Sequence, residues 1–321
     1  MQPRLLRDTL KADLRAVSKA RVYFGHQSVG RNILDGLEDL QRGLGESAVR
    51  VVELGSASVA DDRGILLHGN VGQNERPATK CEDFQRILDQ ELKGRVDVAL
   101  FKFCYVDFND TSDVAAIFDV YSRTLDDLKR RHPEVVFVHV TAPLRTIDRG
   151  PGVWMRELLG RRNRSKHANA RRGEFNRLLK ERYAGEPVFD LAATISTDPD
   201  GRRESFRLEG AEHHALVPAY TDDGGHLNAV GRTYAAAAFV HAIAEALARR
   251  AERAGPSERG RAKAAGHSPS EGCLGTIQVP GSAAGSTQGP RGFEVCHNVT
   301  GRLKFLQALG IYFVPVAGIR S

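Results

Sequence analysis

Residues 21–40 read Arg21-Val22-Tyr23-Phe24-Gly25-His26-Gln27-Ser28-Val29-Gly30-Arg31-Asn32-Ile33-Leu34-Asp35-Gly36-Leu37-Glu38-Asp39-Leu40. The first five residues are a short run dominated by β-branched and aromatic side chains, the mark of a strand. From Ser28 onward the pattern changes period. Ile33, Leu34, Leu37 and Leu40 recur at helical spacing, so one face of a helix is apolar and the other polar. A strand that passes through a single serine turn into an amphipathic helix is the first half of a β-α-β unit.

The same rhythm continues on both sides of this stretch. A helix over 4–19 precedes it. VRVVEL at 49–54 is a second strand, and residues 55–81 read as a long loop. A helix near 82–93 then leads to the apolar run VDVALFKFC at 96–104. A further helix begins at Thr111 or Ser112, carries Val114, Ile117, Phe118, Tyr121, Leu125 and Leu128, and stops ahead of Pro133. VVFVHVTA at 135–142 and PVFDLA at 187–192 are the fourth and fifth strands, and a helix over Ala229–Arg249 closes the pattern. Strands that are apolar almost throughout and alternate with helices make a parallel sheet covered on both faces. The expected fold is therefore a three-layer α/β/α sandwich around a five-stranded parallel sheet, flavodoxin-like in plan. Ligands of such sheets sit beyond the carboxyl ends of the strands. The loops at 25–30, 68–76, 104–110, 143–165 and 197–226 are the places to search.

The chain of 321 residues carries a net charge of +6. From Ala251 onward there are eight Lys and Arg against four Asp and Glu, so the end of the chain holds most of the excess. The body is nearly neutral, which argues against a nucleic-acid face. No run approaches the ~18 apolar residues of a membrane span. The first twenty residues are charged throughout and read as no secretory signal, so a cytoplasmic location is expected. Four cysteines without a CxxC pair make neither a disulfide framework nor a zinc ribbon. Composition shifts near residue 250. Residues 1–250 form the expected domain. Residues 251–292, rich in Gly, Ala, Ser and Pro, read as a disordered linker, and 293–321 as a short apolar segment with no assigned role.

Two of the strand-end loops hold residues suited to catalysis. Ser28 sits where a strand turns into a helix. Its side chain can face a cleft, and its own N–H belongs to a helix N-terminus, where developing negative charge is stabilised. Serine is also a common N-cap there. In Tyr220-Thr221-Asp222-Asp223-Gly224-Gly225-His226-Leu227-Asn228-Ala229-Val230-Gly231, the Asp223 carboxylate can orient His226, leaving its other nitrogen free as a general base. The same stretch reads equally as a surface turn capped by Asn228.

Taken together the two blocks resemble the SGNH (GDSL-type) hydrolase superfamily over residues 20–249. That family has its nucleophilic serine after the first strand and a DxxH motif before the last helix. Asp223-Gly224-Gly225-His226-Leu227-Asn228-Ala229-Val230-Gly231 matches the form D-G-x-H-L-N-x-x-G. The resemblance implies a Ser28–His226–Asp223 triad and a serine hydrolase that cleaves an ester and requires no cofactor. It also implies that Gly72 supplies an oxyanion N–H. The family's third block ends G-x-N-D. Here Cys104-Tyr105-Val106-Asp107 places valine where the asparagine donor belongs, and Asn70, Asn74 and Asn109 are the candidates to replace it. His26-Gln27-Ser28 departs from G-D-S and is similar to the G-Q-S form of carbohydrate O-acetylesterases. The implied substrate is an O-acyl, most simply acetyl, ester of a carbohydrate or small molecule. His26 either lines the cleft or is a structural histidine. The alternatives are a non-catalytic binder of a glycan or partner, and an O-acetyltransferase using the same three residues.

The remaining signals are weaker. His213-His214 has no third ligand at a recognisable spacing, so no metal is expected. Cys104, following an apolar strand, reads as buried and inert. Residues 161–172 hold six basic residues and no acid, shortly after Trp154, the sole tryptophan. They read as a solvated loop and helix start, or as a lid bringing an aromatic platform and positive charge to the site.

Overall fold

The computed structural model describes residues 3–55 and 63–253. Its elements are α1 (Pro3–Val17), β1 (Arg21–His26), α2 (Ser28–Leu44), β2 (Arg50–Glu53), β3 (Ile65–Asn70), α3 (Pro77–Arg86), β4 (Val98–Phe101), α4 (Val114–Arg131), β5 (Val136–Phe137), β6 (His139–Val140), α5 (Pro151–Leu158), α6 (Arg164–Arg182), β7 (Val188–Phe189), α7 (Leu191–Ile195), β8 (Ser205–Leu208), β9 (Ala211–His214) and α8 (Ala229–Arg253).

Five strands form a parallel sheet in the order β2-β3-β1-β4-β5. The number and direction agree with expectation, but the membership differs. Ile65–Asn70, expected as loop, is a strand inserted between β1 and β2. Its apolar run, Ile65–Leu67, is only three residues long, too short to show a period. The segment expected as the fifth strand appears as β7, paired with β6 rather than within the five-stranded sheet. The two pieces are continuous in direction: the Val138 N–H donates to the Ala99 carbonyl at 3.0 Å, so β6 extends the line of β5. The helix expected near 82–93 starts earlier, at Pro77, and its last turn over Ile87–Leu92 widens to a π-helix. The loop expected over 197–226 contains the antiparallel hairpin β8–β9.

Alternation along each strand divides the core in two. Val22, Phe24, Leu66, Val98 and Leu100 face α1, α2 and α8, together with Ile33, Leu37, Phe239 and Ile243. Tyr23, Leu67, Ala99 and Phe101 face α3, α4 and α6, with Phe84, Tyr121 and Phe175. The sheet is thus covered on both faces, which explains why its strands read as unbroken apolar runs. Among the described residues no helix is long and apolar enough to cross a membrane. The last helix runs to Arg253, three residues past the expected boundary. The remainder of the expected linker and the apolar segment 293–321 lie outside the described residues.

Candidate active site

β1 delivers the chain to Ser28 in a sharply defined way. Gln27 is extended and Ser28 is the first residue of α2. The cap is therefore Gln27, through its carbonyl, which accepts the Gly30 and Arg31 N–H groups at 2.8 and 3.3 Å. Ser28 is exposed, so its hydroxyl is not spent on capping. The Gln27 side chain reaches sideways and donates to the carbonyls of Val71 at 2.9 Å and Gly72 at 3.0 Å. It fastens the loop after β3 to the turn that carries Ser28.

The block from Thr221 to Asn228 approaches from the other end of the chain. Asp223 Oδ1 accepts the N–H groups of Gly225 and His226 at 2.9 and 2.8 Å and the Thr221 hydroxyl at 3.2 Å. The other oxygen, Oδ2, lies 2.5 Å from His226 Nδ1. The hydrogen bonds from the His226 side chain and from the Gly225 and His226 N–H groups hold this carboxyl well below the usual carboxylate range. His226 Nδ1 therefore carries the proton, and Nε2 presents a lone pair. Ser28 Oγ lies 2.9 Å from that Nε2, across 198 residues of sequence. Both ends of the block are anchored. Asn32 of α2 accepts the Leu227 N–H at 3.1 Å, and the Gly224 carbonyl accepts the Thr146 N–H at 3.0 Å. Asn228 caps α8, accepting from Val230 and Gly231 at 3.1 Å each.

Several neighbours are not apparent in the sequence. Tyr105 stands edge-on to His226, with ring centroids 5.6 Å apart, and its hydroxyl is 3.4 Å from Nε2. Gly225 is required at this contact: a Cβ there would lie 2.8 Å from the Tyr105 ring. The exposed Arg145 guanidinium sits over the Tyr105 ring at 5.1 Å and brings positive charge to the cleft. The loop carrying Tyr105 is held from beneath. Buried Arg172 donates to the Tyr105 carbonyl at 2.7 and 2.9 Å and to that of Phe108 at 3.0 Å. Buried Asp107 accepts from Lys80, from the Cys104 N–H and from the Glu75 N–H.

The expected oxyanion residues fall in different places. Gly72 is corrected: its N–H donates to Asp83 Oδ2 at 3.0 Å, so this donor is already engaged. Asn109 closes a local turn, its Oδ1 accepting from the Thr111 N–H and hydroxyl at 2.8 and 2.9 Å. Asn70 ends β3, exposed and opposite His26 in the strand register. Asn74 lies on the exposed loop after β3, and Lys80 Nζ donates to its Oδ1 at 3.1 Å. Since lysine can only donate, the amide is oriented with its Oδ1 toward Lys80 and its NH2 on the other side. Val106 is half-buried and packs against the core.

His26 is buried and serves as a spacer below the turn. Its Nδ1 donates to the Gln27 carbonyl at 2.9 Å. That leaves Nε2 as an acceptor, so the 3.1 Å contact to His68 is donated by His68 Nδ1. Burial pushes the His26 imidazole down to about 3, so it stays neutral. Gly30 makes room for the ring, since a Cβ there would meet His26 Cβ at 2.2 Å. Among the described residues no group of His, Cys, Asp and Glu is arranged to hold a metal, and His213-His214 belongs to the β8–β9 hairpin. Cys81 and Cys104 are buried free thiols.

No family model and no curated protein matches the chain. Among solved structures the chain is similar to the lipase/acylhydrolase from Enterococcus faecalis, at 12% identity over 70% of this chain and 95% of that one, with a TM-score of 0.41. It is also similar to an acetyl xylan esterase, at 16% identity over 70% of this chain and 99% of that one, with a TM-score of 0.40. A DUF4886 family protein from Bacteroides uniformis is 13% identical over 70% of this chain and 82% of its own, with a TM-score of 0.40.

Proposed function

We propose that the protein is a serine esterase. The observation that carries this reading is the unbroken line Ser28 Oγ, His226 Nε2, His226 Nδ1, Asp223 Oδ2, with contacts of 2.9 and 2.5 Å at its two hydrogen bonds. Ser28 Oγ attacks the carbonyl carbon of an acyl ester while its proton passes to His226 Nε2. Asp223 keeps His226 in the correct tautomer and stabilises the imidazolium. The tetrahedral intermediate collapses, His226 returns the proton to the leaving alcohol, and an acyl-Ser28 ester remains. Water then attacks that ester by the same route, with His226 as base, releasing the acid and free Ser28.

The developing oxyanion requires donors. The Ser28 N–H lies in the first turn of α2, where helix geometry provides no intrahelical acceptor. In place of Gly72, whose N–H is engaged, we assign the second donor to the Asn74 NH2. Two contacts support this: Lys80 fixes the Asn74 amide, and Gln27 ties its loop to the Ser28 turn. The substrate class we propose is an O-acyl, most simply O-acetyl, ester of a carbohydrate or small molecule. Tyr105 beside His226, with Arg145 over its ring, supports a polar leaving group on that side of the cleft. We propose a cytoplasmic location. The test is hydrolysis of p-nitrophenyl acetate by the full chain and by Ser28→Ala. Loss of nearly all turnover in the variant is expected. Equal turnover in both would overturn the reading.

A further inference from the structure

Among the described residues, the exposed large apolar side chains are Trp154, Met155, Leu158 and Leu159, and they all lie on or directly after one helix, α5. Trp154 is 61% exposed and Leu159 72%, values far from those of ordinary packed residues. Their spacing of one, three and one places them on a single helical face. No residue of α5 is buried. The opposite face is the one attached to the body. Val153 is half-buried beside a cavity of about 250 Å³ that Ile147 and Phe206 also line, and Trp154, though 61% exposed, borders the same cavity. Glu157 accepts from Asn163 at 2.7 Å and pairs with Lys166 at 2.8 Å. The helix is therefore held from below by its own polar contacts, and its apolar face is presented outward by construction.

The charge around this face has one sign. Between residues 149 and 172 the only acid is Glu157, which is paired on the underside. Arg156, Arg161, Arg162 and Arg164 are all exposed. Arg162 contacts His167, and Arg164 approaches Asp110 only at 3.9 Å. A short helix with tryptophan and leucines on one face and arginines along its border has the make-up of an element that lies in the plane of a lipid–water interface. Each basic residue adds attraction to an anionic headgroup layer. The segment follows β6 and the loop whose Thr146 N–H holds the Gly224 carbonyl, so it stands at the same sheet edge as Ser28 and His226.

We propose that α5 and its arginine border are a docking surface for an anionic lipid membrane, the apolar face entering the headgroup boundary and the arginines pairing with lipid phosphates. This goes beyond the esterase reading and does not depend on the chemistry of Ser28. The apolar face selects a lipid surface over a free phosphate, and the arginines select an anionic surface over a zwitterionic one.

Because Trp154 is the chain's single tryptophan, its emission reports directly on this face. The full chain is titrated with vesicles of phosphatidylcholine, and with vesicles that also contain phosphatidylglycerol. The expected result is a blue shift with the anionic vesicles only, quenching by brominated acyl chains, and reversal by salt. Leu158→Ser with Leu159→Ser is expected to weaken the apparent affinity at least about tenfold without changing the melting temperature, since both side chains are exposed. Arg156→Gln with Arg161→Gln is expected to remove the preference for anionic vesicles. An unchanged emission on anionic vesicles would overturn the proposal. So would a blue shift that grows with protein concentration in the absence of lipid, which would mark the face as a contact between copies of the chain. Binding unaffected by the leucine variants would also overturn it.

Discussion

Lys80 and Asp107 form a fully buried ion pair, with Lys80 Nζ 2.5 Å from Asp107 Oδ2 and neither side chain exposed. Each end of the pair does further work near the cleft. Lys80 also orients Asn74, and Asp107 also accepts the N–H groups of Glu75 and Cys104. The pair therefore joins the loop after β3 to the loop after β4, on which Tyr105 stands. Removing one partner of a buried pair leaves the other charge uncompensated, at a cost of about 3–5 kcal/mol. Lys80→Met is expected to lose that much in urea unfolding, and Lys80→Met with Asp107→Leu to recover part of it. A loss below about 1 kcal/mol in the single variant would show that Asp107 finds other compensation.

Asn74 and Asn109 set the proposed oxyanion donor against a turn residue. Asn74→Ala is expected to lower kcat by ~10²-fold with little change in KM, because the donor acts chiefly in the transition state. Asn109→Ala, whose side chain closes its own turn with Thr111, is expected to leave kcat unchanged. The check is steady-state hydrolysis of p-nitrophenyl acetate. Equal effects at the two positions would remove Asn74 from the oxyanion site.

Asp223→Asn isolates the tautomer. The Asn Oδ1 can still accept the Gly225 and His226 N–H groups, so the turn should keep its shape. Its amide, however, would donate toward Nδ1 and leave the proton on Nε2, where Ser28 needs an acceptor. A fall in kcat of roughly 10⁴ with unchanged circular dichroism is expected.

The buried histidines predict an acid-sensitive fold. His26 is neutral in the folded protein down to about 3, against 6.5 for the free side chain. Its contribution to stability is complete above pH 6.5. Below that, the unfolded chain binds a proton that the folded one refuses, and stability falls by about 1.4 kcal/mol per pH unit until about pH 3. Burial lowers His68 and His139 as well, which acts in the same direction. Urea unfolding across that window should show a shallower slope for His26→Asn than for the unaltered chain. Identical slopes would mean that His26 is protonated in place.

The parts of this arrangement that show in the sequence are those written locally. Ser28 follows a strand, and Asp223 and His226 lie three apart ahead of a helix. Each is a short pattern whose neighbours in the chain are also its neighbours in space. β3 was hidden because Ile65–His68 is too short to reveal a period and is followed by Gly69 and Asn70, which favour loops. Gly72 has the positive φ of a turn glycine, 55°, but its N–H faces Asp83 on the next helix, eleven residues away. No local pattern reports that. Lys80, Asp107, Arg172 and His68 lie beyond local reading for the same reason. Their partners are 27 to 67 residues distant, and a buried charge looks in sequence like a surface one. Val106, which stands where the family resemblance calls for a donor, packs on the core, and Tyr105 beside it turns toward His226.

The central claim is that Ser28 is a nucleophile activated by His226, and its most direct test is covalent. A fluorophosphonate reacts when an activated serine oxygen bonds to phosphorus, fluoride departs, and the serine proton passes to the base. The full chain is incubated with such a probe, digested, and the adduct located by mass spectrometry. The account predicts one adduct per chain, on the peptide containing Ser28, absent in Ser28→Ala and strongly slowed in His226→Ala. An unlabelled chain, or an adduct on another serine that persists in Ser28→Ala, would contradict it.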